Sequence, residues 1–518
     1  MNRLHICRLL GLIALLIGVS MLASLPWAFP WFGPARQIET RGIVGLLGAM
    51  AVCAAVGAAL LRIGRSSVGA TLFRREAIAV VGLGWLLATL LGALPFWFAG
   101  VSTGRTDEGR PIAMGLVDGL FESASGFTGT GATVLTDLED EALVPRAILF
   151  WRSETHFLGG LGIMVLFVAI LGMGSAGKTL MLTEMPGPTQ EAPHARTQRA
   201  AWIFAAIYVG LNIVLTALLL VEGMSLFDAL CHSFGTIATG GFSTYNKSIE
   251  CFQSLPIDLT ITLFMVVACT NFTLLYFVVI RRPSRLLGDV EFRTYIAILT
   301  VATLMVVAFG LSHSDFPDVG SALRYGSFQV VSIMTNTGFG TADFDRWNDF
   351  NRGLLLLLMF IGGCAGSTSC SIKVIRYILL VKILRLEIEQ IYHPNVVRHV
   401  RLGSKALTEP NLRKDVLLYF AVFLLLFVVA WLLLVGIEPG STWTDNGRSV
   451  HDKLIDCAAA VGATFNGVGP GLGICGESQN YASFHWPSKT ILAGMMLLGR
   501  LEIFVLLALF MPDFWRRK

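Results

Sequence analysis

Charge is what this chain has least of. Of its 518 residues only 14% are Asp, Glu, Lys or Arg, and 54% are hydrophobic. An ordinary soluble domain carries roughly 25% charged residues, so a water-soluble globule is excluded. Mean hydropathy is +0.68. The nine cysteines form no CxxC pair and no Cys/His set at zinc-ligand spacing, which argues against a metal finger or a disulfide framework. Cys251 and Cys475 fall in expected external loops where a bridge is conceivable. The preferred reading of these thiols, and of Cys53, Cys269 and Cys364 within spans, is small apolar filling. No HExxH or GxSxG pattern surrounds Arg152, Glu154 and His156, the polar groups placed where a membrane hydrolase would need them.

What is present is a series of apolar runs near the 20 residues that cross a bilayer. Ten are expected, at 7–32, 42–61, 77–99, 147–172, 201–221, 257–280, 294–312, 353–384, 415–436 and 488–511. The first has no small-residue cleavage site near Trp27, Pro30 and Trp31, and reads as a retained helix rather than a leader. With the N-terminus inside, the inner segments hold 25 Lys/Arg against 10 Asp/Glu and the outer segments 13 against 24. The positive-inside rule then places both termini in the cytoplasm. An outer acidic surplus, including Asp137, Glu139, Asp140 and Glu141, either concentrates cations or merely solvates loops.

Between the runs, one pattern recurs four times: FESASGFTGTGATV from Phe121, LCHSFGTIATGGFST from Leu230, FQVVSIMTNTGFGTADF from Phe328 and AAAVGATFNGVGPGLG from Ala458. Aligned on one glycine, the tetrads read Thr128-Gly129-Thr130-Gly131, Ile237-Ala238-Thr239-Gly240, Thr335-Asn336-Thr337-Gly338 and Asn466-Gly467-Val468-Gly469. A half-length apolar stretch precedes each. Three of these begin at an acid suited to capping a short helix, Asp118, Asp228 and Asp456, which lie 13, 12 and 13 residues before the glycine; the third repeat has Arg324 and Tyr325 there instead. All four loops fall on the outer side. Irregular backbone at membrane depth needs burial in protein or a watery cavity. Four loops entering from one face suit a selectivity filter whose carbonyls replace a cation's water. Close helix packing at glycine explains one such loop, but not four with the same flanking order.

These residues resemble the TrkH/TrkG/KtrB potassium-uptake proteins, which are related to the plant HKT transporters. WRSETHFLGGLGIMVL (Trp151 to Leu166), EMPGPT (Glu184 to Thr189), GGCAGSTSCSIKVIR (Gly362 to Arg376) and GRLEIF (Gly499 to Phe504) carry the likeness, which covers nearly the whole chain and is greatest to the TrkH branch. The resemblance implies an all-α polytopic protein with two N-terminal helices (1–75) and four span–pore-helix–span units (76–180, 181–285, 286–405, 406–518) around a potassium pore. It also implies a homodimer in the bacterial inner membrane, surrounded by lipid, and a cytoplasmic nucleotide-binding regulator of the TrkA kind. Nucleic acid is not an expected partner. Potassium, as the transported ion, would be held by the sixteen tetrad residues. In HKT relatives serine in the first loop accompanies sodium permeation; glycine at Gly131 points to potassium. Family members often carry Thr and Asn where this chain has Gly129 and Gly467.

Below the loops, Gly362, Gly363, Gly366 and Ser367 interrupt the run 353–384, and the resemblance makes this an intramembrane gate. A simple helix kink is the alternative. Lys373 ends the segment, near enough to the inner surface to snorkel there. Arg500 lies in the last run, where a charge costs about 2.5–3.5 kcal/mol on insertion scales and so needs water or partners. The resemblance places it beneath the filter as an obstacle to cations. Its pairing with Glu502 is disfavoured, since residues two apart face different ways. Two other readings stand: a sodium-dependent or sodium-permeant KtrB/HKT-like transporter, and a membrane enzyme using Glu154 and His156.

Overall fold

In the computed structural model the described residues are 1–67, 73–106, 108–162, 194–394, 401–402, 405–406, 412–501 and 503–516. Apolar runs satisfy their backbone groups internally as helices, and the chain does so from its start. Arg3–Ser20 packs on Thr40–Ile63. Gly11 meets the Gly57 carbonyl and Gly18 meets Cys53, small residues that let two backbones close up. The first helix stops short of the expected residue 32. Two tight turns, Met21–Ala23 and Leu25–Ala28, bend the chain inward, and Trp27 stacks on Phe150 at 4.9 Å.

Four units of like plan follow. Each has a long first helix: Arg74–Phe98, His194–Val221, Val290–Ser312 and Leu412–Ile437. Each then has a short one of 12 to 16 residues, too short to cross: Leu116–Thr128, Leu226–Ile237, Val319–Met334 and Lys453–Asn466. Asp118 accepts from Gly115 N, and Asp228 sits in the first turn behind the Ser225 cap. The third short helix also has an acid at its start. Asp318 caps it through Gly320 N and Ser321 N, earlier than the spacing of the other repeats suggests, because this helix is the longest of the four. Asp456 instead accepts from Trp443 Nε1 and Ile474 N, tying the fourth helix to its neighbours.

The last element of each unit departs from expectation. Only 353–384 was expected to break, yet the runs of units two and four break as well. Arg146–Leu161 ends at Gly162 (φ 78°), and 163–172 lie outside the described residues. Leu255–Ala268 and Phe272–Val279 meet at 108°. Asp349–Leu358 and Val374–Tyr392 are separated by the glycine segment, and Trp486–Arg500 and Phe504–Phe510 by a kink containing Ile503 (φ 61°). Strand is confined, among the described residues, to two small hairpins, Ser102–Arg105 with Pro111–Ala113 and Arg401–Leu402 with Lys405–Ala406. Leu424 and Leu425 on the long helix of unit four are 61% exposed, the face expected of a helix against lipid.

Candidate functional site

The four short helices stop in one way. In each, an amide donates to the carbonyl five residues earlier at 2.7–2.9 Å: Thr130 to Ser125, Gly240 to Gly235, Thr337 to Ser332 and Val468 to Ala463. The residue before each donor is left-handed: Gly129 (φ 68°), Thr239 (φ 54°), Asn336 (φ 60°) and Gly467 (φ 68°). This is the left-handed cap that satisfies a helix's orphan carbonyls. The residue after each donor is left-handed again: Gly131 (φ 81°), Gly241 (φ 76°), Gly338 (φ 73°) and Gly469 (φ 93°). Residues of alternating hand turn successive carbonyls toward one side, which neither a helix nor a strand permits, and glycine adopts the left-handed half without steric cost.

The second tetrad is therefore Ala238-Thr239-Gly240-Gly241, one residue later than the sequence alignment sets it. Gly241, not Gly240, is the counterpart of Gly131, and Ile237 is the last residue of the helix. The two adjacent glycines have different duties. Gly241 is left-handed, whereas a side chain on Gly240 would strike the His156 ring.

The loops close on one another in a ring. A Cβ added to Gly131 would collide with the Gly240 carbonyl, one on Gly241 with that of Thr337, one on Gly338 with that of Val468 and one on Gly469 with that of Thr130. Each unit thus touches the next, and the fourth returns to the first. All four helix C-termini, the negative ends of their dipoles, lead into this ring and favour a cation there.

Side chains that sequence reading missed hold the loops from behind. They lie nine residues before each fourth-position glycine: Glu122, His232, Gln329 and Ala460. Glu122 accepts from Thr133 Oγ1 (2.9 Å) and Val134 N (3.0 Å), and from Arg152 Nε. His232 Nε2 bonds with Ser243 Oγ, and Gln329 Nε2 donates to Ala342 O. Ala460 can do neither, and the Tyr481 hydroxyl instead donates to Gly469 O at 2.8 Å. Arg152 also donates to Ser243 O and lies 3.4 Å over the Phe242 ring. Phe242 N donates to His156 Nε2, so Nδ1 carries the proton and donates to Gly126 O. Glu154 faces away and accepts from Ser24 Oγ. Both groups of the enzyme alternative are thus engaged in bracing. Two patterns that the sequence reading passed over are also accounted for. GVSTG at 100–104 puts Ser102 in a hairpin strand, not at a strand-to-helix elbow. GMGSAGKT at 172–179 has phosphate-loop spacing and lies outside the described residues.

Directly under the ring runs the segment from Gly362 to Lys373. Glu291 anchors its ends by accepting from Ala365 N and Ile375 N. Gly366 O accepts from Phe272 N of unit two, and Thr368 bonds Ala268 O. Its crest reaches the first position of the tetrads: Cys370 Sγ donates to Thr128 O (3.4 Å) and Ser371 Oγ to Asn466 Oδ1 (3.0 Å), while neighbouring Cys269 Sγ donates to Thr335 O (3.2 Å). Arg500 Nη1 donates to Thr368 O at 2.8 Å and its Nη2 to Gly159 O, pinning the segment between units four and one. Lys373 Nζ is turned inward onto Ser369, not out toward the inner surface. A cavity of about 60 Å³ remains, lined by Gly366, Ser367, Lys373, Arg500 and Trp85 among others. Gly362 and Gly363 sit at the segment's start, where Gly362 N bonds Ile372 O.

Outside the ring, the acids after the first loop are mostly spent on structure. Asp140 pairs with Arg105, which holds its carboxyl below the usual range, and Glu141 pairs with Arg146. Asp137 and Glu139 accept from Asn246.

Helical spans, four loops meeting in a ring and a buried segment beneath them define a membrane protein of the ion-conducting class. The comparisons agree. The family model described as TrkH, cation transport protein, matches residues 50–517, and the chain belongs to that family. It is 37% identical over 523 residues to the Trk system potassium uptake protein TrkH of Salmonella typhimurium, covering 99% of each chain. It is 33% identical over 454 residues to the TrkG protein of Escherichia coli K12, covering 86% of this chain and 87% of the relative. The crystal structure of the potassium transporter TrkH from Vibrio parahaemolyticus superposes with a TM-score of 0.83 at 34% identity, covering 100% of both chains.

Proposed function

We propose that this chain carries potassium inward across the bacterial inner membrane, with the ring of tetrads as its selectivity filter. The observation that carries the reading is the fourfold alternation of hand, closed into a ring by glycine–carbonyl packing. Such a ring presents carbonyl oxygens to a dehydrated cation. Glycine at the fourth position of every loop, Gly241 included, leaves no side chain at the point where HKT relatives that admit sodium carry serine; this favours potassium over the sodium-permeant alternative. The buried Asn336 amide, which has no hydrogen-bond partner among the described residues, adds a polar group at the second position of the third loop.

The segment Gly362 to Lys373 is the gate, and Arg500 its latch. Both termini face the cytoplasm, where the basic connection 382–414 is the docking place for a TrkA-like nucleotide-binding regulator. Assembly as a homodimer follows the resemblance.

The test is rubidium uptake into proteoliposomes holding the purified chain, with and without the regulator, against potassium or sodium as competitor. Suppression by potassium alone is the expected result. Equal suppression by sodium would select the sodium-permeant reading, and absence of uptake in both preparations would overturn transport.

A further inference from the structure

Two cavities meet above the ring. One, of about 80 Å³, is the filter's outer mouth, lined by Gly131, Gly241, Gly338 and Gly469. The other, a side cavity of about 1080 Å³, is lined from units two and three with Glu477 and Ser478 of unit four. Asn246 and Glu477 line both. The Asn246 amide is committed to Asp137 and Leu138. Glu477 has no such commitment among the described residues. Its carboxylate lies against the backbone of Gly340, two residues past Gly338, and its Oε2 is enclosed without a hydrogen-bond partner. The other acids of the side cavity are mostly satisfied: Asp258 pairs with Arg324, Asp343 with Arg346, and Asp315 accepts from Asn348 and Asn351.

We propose that Glu477 is a loading site for a monovalent cation, where an ion arriving through the side cavity exchanges part of its water for the carboxylate before entering the ring. An enclosed carboxylate oxygen with no donor is costly unless a cation or a proton joins it. This rests on the transport reading above and names the step that precedes the filter.

The charged groups facing Glu477 decide its competitor. Burial, with Asp343 and Glu250 nearby, pushes its carboxyl up to about 8; Lys247 and Arg346 line the same side cavity without pairing with it. A raised carboxyl pKa means the proton occupies the site at low external pH and yields it as pH rises. Below the pKa the ion-competent fraction falls about tenfold per pH unit, and apparent affinity falls with it.

Rubidium uptake is measured at external pH 6 to 9 in potassium-uptake-deficient bacterial cells making the full chain or its Glu477→Gln variant. For the unaltered chain, apparent KM should drop severalfold or more between pH 6 and 9. For Glu477→Gln it should be high and flat across that range, with maximal rate largely kept, and Glu477→Asp should restore part of the slope. A Glu477→Gln variant with unaltered KM and pH slope would overturn the loading site while leaving the filter reading intact. Absence of uptake by the unaltered chain at every pH would overturn both.

Discussion

At the level of single residues, the question with the clearest outcome is which glycine of Gly240-Gly241 serves the ring. Gly131→Ser and Gly241→Ser should each weaken discrimination of potassium over sodium in the competition assay, because each adds a polar side chain against a neighbouring tetrad carbonyl. Selectivity lost at Gly240 but kept at Gly241 would restore the register of the sequence alignment. The signal for the correct register was already present. Asp118 and Asp456 precede their glycines by 13 residues, and Asp228 precedes Gly241, not Gly240, by the same 13. Cys370 offers a second single-residue test. Its thiol donates to Thr128 O, and under the proposed gating this contact belongs to the closed state. A hydrogen bond of about 0.5–1.5 kcal/mol is then removed from the closed state alone. Cys370→Ala should raise initial uptake roughly two- to tenfold, an upper bound because a thiol is a weak donor. Unchanged uptake would mean that this contact does not hold the gate.

Elements carry the next two expectations. The buried pair Arg152–Glu122 joins the second helix of unit one to its pore helix, and Arg152 reaches the loop of unit two as well. Removing one partner strands a buried charge, at a cost of about 3–5 kcal/mol. Arg152→Met should therefore lower the thermal unfolding midpoint in detergent, read by loss of the monodisperse peak after heating, and the double variant Arg152→Met with Glu122→Gln should recover part of it. No loss in the single variant would remove the bracing role. Arg500 acts between elements too, since its guanidinium ties the gate segment to units one and four. Arg500→Ala should raise flux in the absence of the regulator, and equal or lower flux would count against a blocking role. None of this bracing was legible in the sequence. Glu122, His232 and Gln329 share a spacing but not a residue type, and their roles appear only once helix and loop are folded back on each other. Arg152, Glu154 and His156 were visible as polar groups in an apolar run. Their partners, Glu122, Ser24, Gly126 and Phe242, come from distant parts of the chain.

For the molecule as a whole, the plan of two helices and four units could be read from hydropathy and the recurring loops, because burial in lipid permits so few backbone arrangements. The breaks in the second helices of units two and four were not legible. Cys269 to Asn271 and Leu501 to Ile503 contain no proline or glycine; Asn271 caps the new helix through Thr273 N, and Ile503 takes a φ of 61°. The break in unit three announced itself through Gly362, Gly363 and Gly366.

The closure of the ring by Gly469 on Thr130 has a consequence for biosynthesis. The fourth side of the ring belongs to the last unit of the chain to be synthesised, so the ring cannot close before that unit is made. Until that last loop arrives, no complete ion path exists and the first loop lacks one of its two neighbours. With the ring proposed as the filter, the ion path is complete only once the C-terminal unit docks.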